Sequence, residues 1–315
     1  MSAEFPIVAI TGASDHSSTS ITQALQRIFY RERIKASYIP GSGFHRFERE
    51  QMRKEVKAAR SEDRPMSHFG PEGNHLDKLE SMFFEYAATG NGKYRYYLHS
   101  DKVAQTYKQA SGTFTPWADL DPDSDLLLYR GLHGAMIDGD IDLSQYPDLL
   151  VGAAPSVNLE WMRRRERDLR RGYSQDDVKE MTLERMADYA KHLTPQFTRT
   201  DINFQLIPVV DTSNPFDCEN LPTEDECILV IHFQKKKIIQ QIDMIDLLNR
   251  IPDATMTRRD TMLIPGSQML SAVEIILMPL IENLIRRSRE IKGITAADIP
   301  EDRGAGILGM LGQLK

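Results

Sequence analysis

The sequence predicts an α/β domain built on a mixed, largely parallel sheet flanked by helices. Three observations carry this expectation. Continuous apolar runs such as Ile7-Val8-Ala9-Ile10 and Leu126-Leu127-Leu128-Tyr129 suit strands covered on both faces. Stretches with apolar residues at helical spacing lie between them, so strands and helices alternate. A chain of 315 residues, 41% of them hydrophobic, can also bury a sizeable core.

Taken in order, residues 7–10 form a first strand and residues 11–14 turn the chain. A helix follows from Thr19, with Ile21, Leu25, Ile28 and Phe29 on one face. Residues 36–40 read as a second strand, completing a βαβ unit. Residues 48–61 and 74–88 read as helices, the second amphipathic through Leu76, Leu79, Phe83 and Tyr86. Residues 125–129 and 149–152 are further buried strands. The basic stretch 163–171 leads into a helix over 175–192. Strands are expected at 208–211, 228–233 and 262–266, and a long helix at 268–291. Residues 1–292 are expected to form one domain, with 293–315 as an extension.

Composition narrows the class. Basic residues number 39 against 46 acidic, a formal net charge of −7, which argues against a nucleic-acid binder. Two cysteines, Cys218 and Cys227, make no disulfide framework and fit a cytoplasmic setting. No secretory leader is visible at the start, and the apolar run 275–285 is interrupted by Pro279 and Glu282, so no membrane helix is expected.

After the first strand, Gly12-Ala13-Ser14-Asp15-His16-Ser17-Ser18-Thr19 stands where a phosphate loop, G-x-x-x-x-G-K-[ST], would lie. Gly12 and the terminal hydroxyl of Thr19 keep the pattern. Ser17 replaces the second glycine, Ser18 replaces lysine, and Asp15 adds an anion. Judged alone, the segment reads as an ordinary strand-to-helix turn capped by hydroxyls.

Seven blocks resemble the bacterial, octamer-forming class of phosphoribulokinase: residues 43–47 (Gly-Phe-His-Arg-Phe), 67–72 (Ser-His-Phe-Gly-Pro-Glu), 112–117, 131–134 (Gly-Leu-His-Gly), 157–161, 194–197 and 210–216. They keep that family's order and spacing from about residue 5 to residue 290. The resemblance implies an adenylate-kinase-like P-loop kinase fold. It also implies transfer of the ATP γ-phosphoryl to the 1-hydroxyl of ribulose 5-phosphate, with magnesium. It places Gly12, Asp15, Ser17, Ser18 and Thr19 at the nucleotide phosphates, and His45, Arg49, His99, Arg164, Arg167 and Asp168 at the sugar phosphate.

Two positions depart from the family's catalytic set. Ser42 stands where the resemblance implies an aspartate base, and Arg130 where it implies an acid that helps to hold magnesium. A hydroxyl is far too weak a base, and a guanidinium cannot coordinate a cation. On this evidence the chain is expected to be a phosphoribulokinase-like pseudoenzyme, with a degenerate phosphate loop, no intact catalytic residue, no metal site and no cofactor. Its role would be binding, regulation or assembly with a carbon-fixation enzyme of the Calvin cycle. The alternative is an active phosphoribulokinase that uses ATP and Mg2+ with substitute residues such as Asp15, His16 or Asp168. Expected partners are further copies of the chain or an active paralogue, a sugar phosphate or other anion, and a protein docked by residues 293–315. Arg31 and Arg185 resemble effector-binding arginines, whereas Glu184 stands where another arginine is implied.

Overall fold

The computed structural model of the chain describes residues 4–12, 16–170, 172–217 and 220–304, without the side chains of residues 16 and 17. Asp15, the side chain of Ser17 and residues 305–315 of the extension therefore lie outside the described residues. Numbering the main-sheet strands and the helices of ten residues or more, the chain runs β1 (Ile7–Gly12), α1 (His16–Arg31), β2 (Ala36–Pro40), α2 (Arg49–Ser61) and α3 (Leu76–Thr89). It continues through β3 (Leu126–Gly131), β4 (Leu149–Ala154), α4 (Val157–Leu169), α5 (Gln175–Glu184) and β5 (Ile202–Pro208). β6 (Cys227–Phe233), β7 (Thr255–Arg258), β8 (Thr261–Pro265) and α6 (Met269–Lys292) complete it.

The sheet order is β7-β8-β6-β5-β4-β1-β3-β2. β1 pairs parallel with β3 and β4, β2 with β3, and β5 with β4. β6 and β8 then pair antiparallel, as do β7 and β8. The mixed, largely parallel sheet is thus as expected. One apolar layer fills the face under α1 and α6, with Leu25, Phe29, Phe204, Ile231 and Ile276 at its centre. The other lies under α3, around Phe83, Tyr86, Leu127 and Tyr129.

Three aspartates, Asp125 and Asp201 buried and Asp148 half-buried, seal the N-terminal ends of the parallel strands, where leading N–H groups would otherwise lack acceptors. Asp148 accepts from Ile7 N at 3.0 Å, Asp125 from Lys35 N at 2.8 Å, and Asp201 from Leu150 N at 2.7 Å. Cations balance two of them. Arg303 donates to both carboxylate oxygens of Asp125 at 2.8 and 3.0 Å. Lys235 and Lys237 approach Asp201 at 3.1 and 3.0 Å.

Several expectations need correcting. The strand expected at 208–211 lies earlier, at β5, while Val209 and Val210 are exposed. β5 alternates, with buried Ile202, Phe204 and Leu206 separated by Asn203 and Gln205, so it lacks the continuous apolar run that marks its parallel neighbours. The helix expected over 175–192 is interrupted at Arg185 and resumes as an α turn, Met186–Asp188, that widens into a π turn, Tyr189–Leu193; Asp188 is buried there and accepts from Ser67 Oγ at 2.7 Å. Gly266–Lys292 is long and apolar enough to cross a membrane by length and composition, contrary to the reading of that run. Its apolar face packs with α1 in the core.

Asp201→Ala removes the acceptor of Leu150 N, while the half-exposed lysines can return to water. The expected loss is about 1–3 kcal/mol, the cost of one unsatisfied buried donor. Urea denaturation measures it; an unchanged midpoint would show that the contact carries no stability.

Candidate active site

Parallel strands release their chains at one edge, and the loops there enclose a cleft of about 1620 Å³. Gly12 ends β1 at φ 144°, and a Cβ there would stand 2.4 Å from the carbonyl oxygen of Ala153, so only glycine allows this approach. α1 begins just beyond. Its buried Ser18 and half-buried Thr19 present hydroxyls that both accept from Arg130 Nη2, at 2.8 and 3.1 Å. Arg130 ends β3 in register with Pro40 of β2, so it projects among three strand ends. Tyr38 faces it: burial raises the phenol above its usual value, and Arg130 partly offsets the rise.

Past Pro40 a tight turn, Gly41–Phe44, carries Ser42. A Cβ on Gly41 would meet the Tyr129 hydroxyl at 2.5 Å, and one on Gly43 the Arg95 carbonyl oxygen at 2.1 Å, so the turn is clamped from two sides. Ser42 Oγ lies 3.2 Å from Nε2 of His99, which is exposed to the cleft. Arg49 donates to the His99 carbonyl oxygen at 2.6 Å and anchors that segment to α2.

His45 is buried. Asn74 donates through Nδ2 to the carbonyls of His68 and Gly70, which leaves its Oδ1 to accept from His45 Nδ1 at 2.8 Å. The His45 and His68 rings stack with centroids 4.1 Å apart. Burial pushes His45 down to about 4, although the bond to Asn74 opposes it. Burial and then the neighbouring imidazole of His45 push His68 to about 2, and His133 to about 3.

Facing these histidines, α4 brings Arg164 and Arg167 to Asp168, at 3.7 and 3.4 Å. Arg185, just past α5, faces the same cleft. Three guanidiniums thus surround one buried carboxylate. Burial pulls Arg164 down to about 10, helped by repulsion from Arg185 and Arg167, and lowers Arg185 as well. Such crowding favours a bound anion. Glu184, the residue at an expected arginine, pairs with Arg60 and joins α5 to α2. Arg31 pairs with Glu274 and Glu32 on α1's outer side.

The structure therefore brings Gly12, Thr19, Ser42, His45, Arg49, His99, Arg130, Arg164 and Arg167 into one cleft, with Ser18 buried against Arg130 and Asp168 buried against the arginines of α4. Sequence reasoning missed Tyr38, Asn74 and Glu160 as cleft or supporting residues. Glu160 was visible inside the block at 157–161; Tyr38 and Asn74 gave no signal in sequence. Among the described residues, no three acidic, histidine or cysteine side chains gather as a metal cage.

A sheet of this order with an arginine-lined cleft at the strand ends defines a P-loop kinase fold. The family model described as Phosphoribulokinase / Uridine kinase matches residues 7–213, and the chain belongs to that family, on its bacterial phosphoribulokinase branch. It is 43% identical over 291 residues to the chromosomal phosphoribulokinase of Cupriavidus necator, covering 92% of this chain and 99% of that one. It is 42% identical to the phosphoribulokinase of Rhizobium meliloti, covering 92% and 100%. The solved structure of phosphoribulokinase from Rhodobacter spheroides superposes with a TM-score of 0.84 at 39% identity, over 91% of this chain and all of that one.

These relatives overturn the expectation of an inactive scaffold without cofactors. They are named as kinases across nearly the whole chain, and their family reaction uses ATP and Mg2+. The description of the phosphate loop as degenerate also fails, because the family match runs through it. The error came from judging Ser42 and Arg130 one position at a time. Folding places an imidazole beside the first and sets the charge of the second on two helix-terminal hydroxyls.

The buried histidines predict an acid-sensitive fold. His45, His68 and His133 stay neutral when folded, whereas an unfolded imidazole takes a proton below about pH 6.5. The unfolded state thus binds more protons below that value, and stability falls as pH drops from about 6.5 towards 4. Each imidazole contributes a slope of about 1.4 kcal/mol per pH unit. Urea midpoints at pH 7, 6 and 5 should decline in turn; a flat series would contradict the buried neutral rings.

Proposed function

We propose that the protein is an active phosphoribulokinase that transfers the γ-phosphoryl of Mg·ATP to the 1-hydroxyl of ribulose 5-phosphate. The observation that carries this reading is a cleft with two anion-seeking ends. At one end, the start of α1 offers the hydroxyls of Ser18 and Thr19 with Arg130 across them, suited to the triphosphate. At the other, Arg164, Arg167 and Arg185 crowd around Asp168, suited to a phosphate monoester. A substrate phosphorylated at one end and carrying a hydroxyl at the other spans the two. Phosphoryl transfer asks chiefly for positioning and charge stabilisation, which guanidiniums provide.

On the same reading Arg130 neutralises charge on the transferring group, and the Thr19 hydroxyl faces the metal carried by the nucleotide. Arg49 acts indirectly, by holding the His99 segment. A homo-oligomer, a cytoplasmic location and a place in the carbon-fixation cycle belong to this proposal. Exposed apolar residues such as Phe84 and Ile245 are consistent with assembly, which sedimentation would measure. Residues 1–292 form the kinase domain on this reading, with the extension tied to it through Arg303.

A coupled assay for ADP with ribulose 5-phosphate and Mg·ATP tests the function, with turnover expected in the range of ~1–100 s⁻¹. Arg164→Ala is expected to raise KM for the sugar phosphate about 10–100-fold, as for loss of a charge-assisted hydrogen bond. Wild-type protein that forms no ADP would end the proposal.

A further inference from the structure

The attacking hydroxyl must lose a proton, and the described groups around the cleft differ sharply in their fitness to take it. His45 and His133 are tied by hydrogen bonds to Asn74 and the Phe69 carbonyl, and the His68 ring stacks on His45. Asp168 is held among arginines, Asp177 caps α5 through Ser174, and Glu180 and Glu184 pair with Arg60. His99 differs: it is exposed to the cleft, and its Nε2 stands 3.2 Å from the hydroxyl of Ser42.

Resting on the kinase reading above, we infer that Ser42 and His99 form a proton relay, in which Ser42 takes the proton of the substrate hydroxyl and passes its own to His99. The position suits this. Ser42 follows Pro40, the register partner of Arg130, so the relay sits between the hydroxyls of α1 and the sugar-phosphate arginines. The clamped glycines hold the turn, Arg49 holds the His99 carbonyl, and the Tyr97 ring lies edge-on to His99 at 4.7 Å. Among the described residues, the charged and titratable groups facing His99 include Arg49 from α2, Tyr97 from its own segment, and His68, with His45 behind His68.

The step balances without any further reactant. The substrate oxygen forms its bond to the γ-phosphorus as its proton moves to Ser42 Oγ, while the Ser42 hydroxyl proton moves to His99 Nε2. The bond from the γ-phosphorus to the β,γ-bridging oxygen breaks, and its electron pair leaves on ADP. His99 then releases the proton to solvent through its exposed face. Ser42 is the group that touches the substrate, and His99 acts through it.

The test compares wild type, H99Q, S42A, E160Q, S42D and S42D/H99Q in the full chain, reading kcat across pH 5–9 and KM for both substrates. H99Q and S42A should lower kcat by ~10²–10⁴-fold with KM little changed. The wild-type acid limb should fall in the imidazole range. In S42D a carboxylate takes the proton directly, so the limb should move towards the carboxylate range. Adding H99Q to S42D should then cost less than about threefold, a non-additivity that a merely structural role of His99 would not produce. Wild-type turnover with an unshifted H99Q, or with E160Q alone removing the acid limb, would overturn the relay and spare the kinase reading. A phosphoserine at Ser42 in the intact mass would overturn it too, because Ser42 would then be a nucleophile. Wild type without turnover would sink both.

Discussion

Parallel pairing of β1, β2 and β3 decides where the chemistry can occur. Because the three strands run the same way, Gly12, Pro40 and Arg130 finish at one edge, and each following loop opens into the same cleft. Reversing any one of them would carry its loop to the far side of the sheet. The opposite edge shows the complement, with Asp125, Asp148 and Asp201 closing the starts of the strands. The sheet therefore has an acidic pole that is neutralised internally and a basic pole that faces ligand. Helices α4 and α5 extend the basic pole, and Arg60 with Glu180 and Glu184 joins α2 to α5 across the cleft mouth.

Charge at the basic pole is held in two different ways. The guanidiniums remain cationic although burial opposes them, because a guanidinium gives up its proton only far above neutrality. The imidazoles yield instead, and His45, His68 and His133 surrender their charge to the same burial. Fixed cations thus sit beside neutral rings within one wall. The neutral rings avoid adding repulsion to an already crowded site, and the hydrogen bonds of His45 and His133 to Asn74 and the backbone set the shape of that wall.

How much of this was legible in sequence depended on distance along the chain. The parallel strands announced themselves as unbroken apolar runs, and the helices α1, α3 and α6 as stripes at helical spacing. β5 hid because its polar alternation belongs to the transition between parallel and antiparallel halves. Cleft residues carried inside the matching blocks, such as His45 and His133, were visible. The pairing of Ser42 with His99 joins positions 57 apart, and that of Arg130 with Ser18 joins positions 112 apart, so no spacing rule connects them. Reading single substitutions as losses led to an inactive protein, whereas the folded neighbourhood supplies each altered position with a new companion.

The bidentate grip of Arg303 on Asp125 has a practical outcome for anyone handling the protein. Gly304 is wedged against the carbonyls of Phe29 and Ile34, so this point of the chain lies at the pole where strands begin, away from the cleft. Cargo joined at that point itself, whether an affinity handle, a fluorophore or a surface tether, would hang from the blind side of the molecule. An immobilised form attached there would keep its mouth turned towards solution.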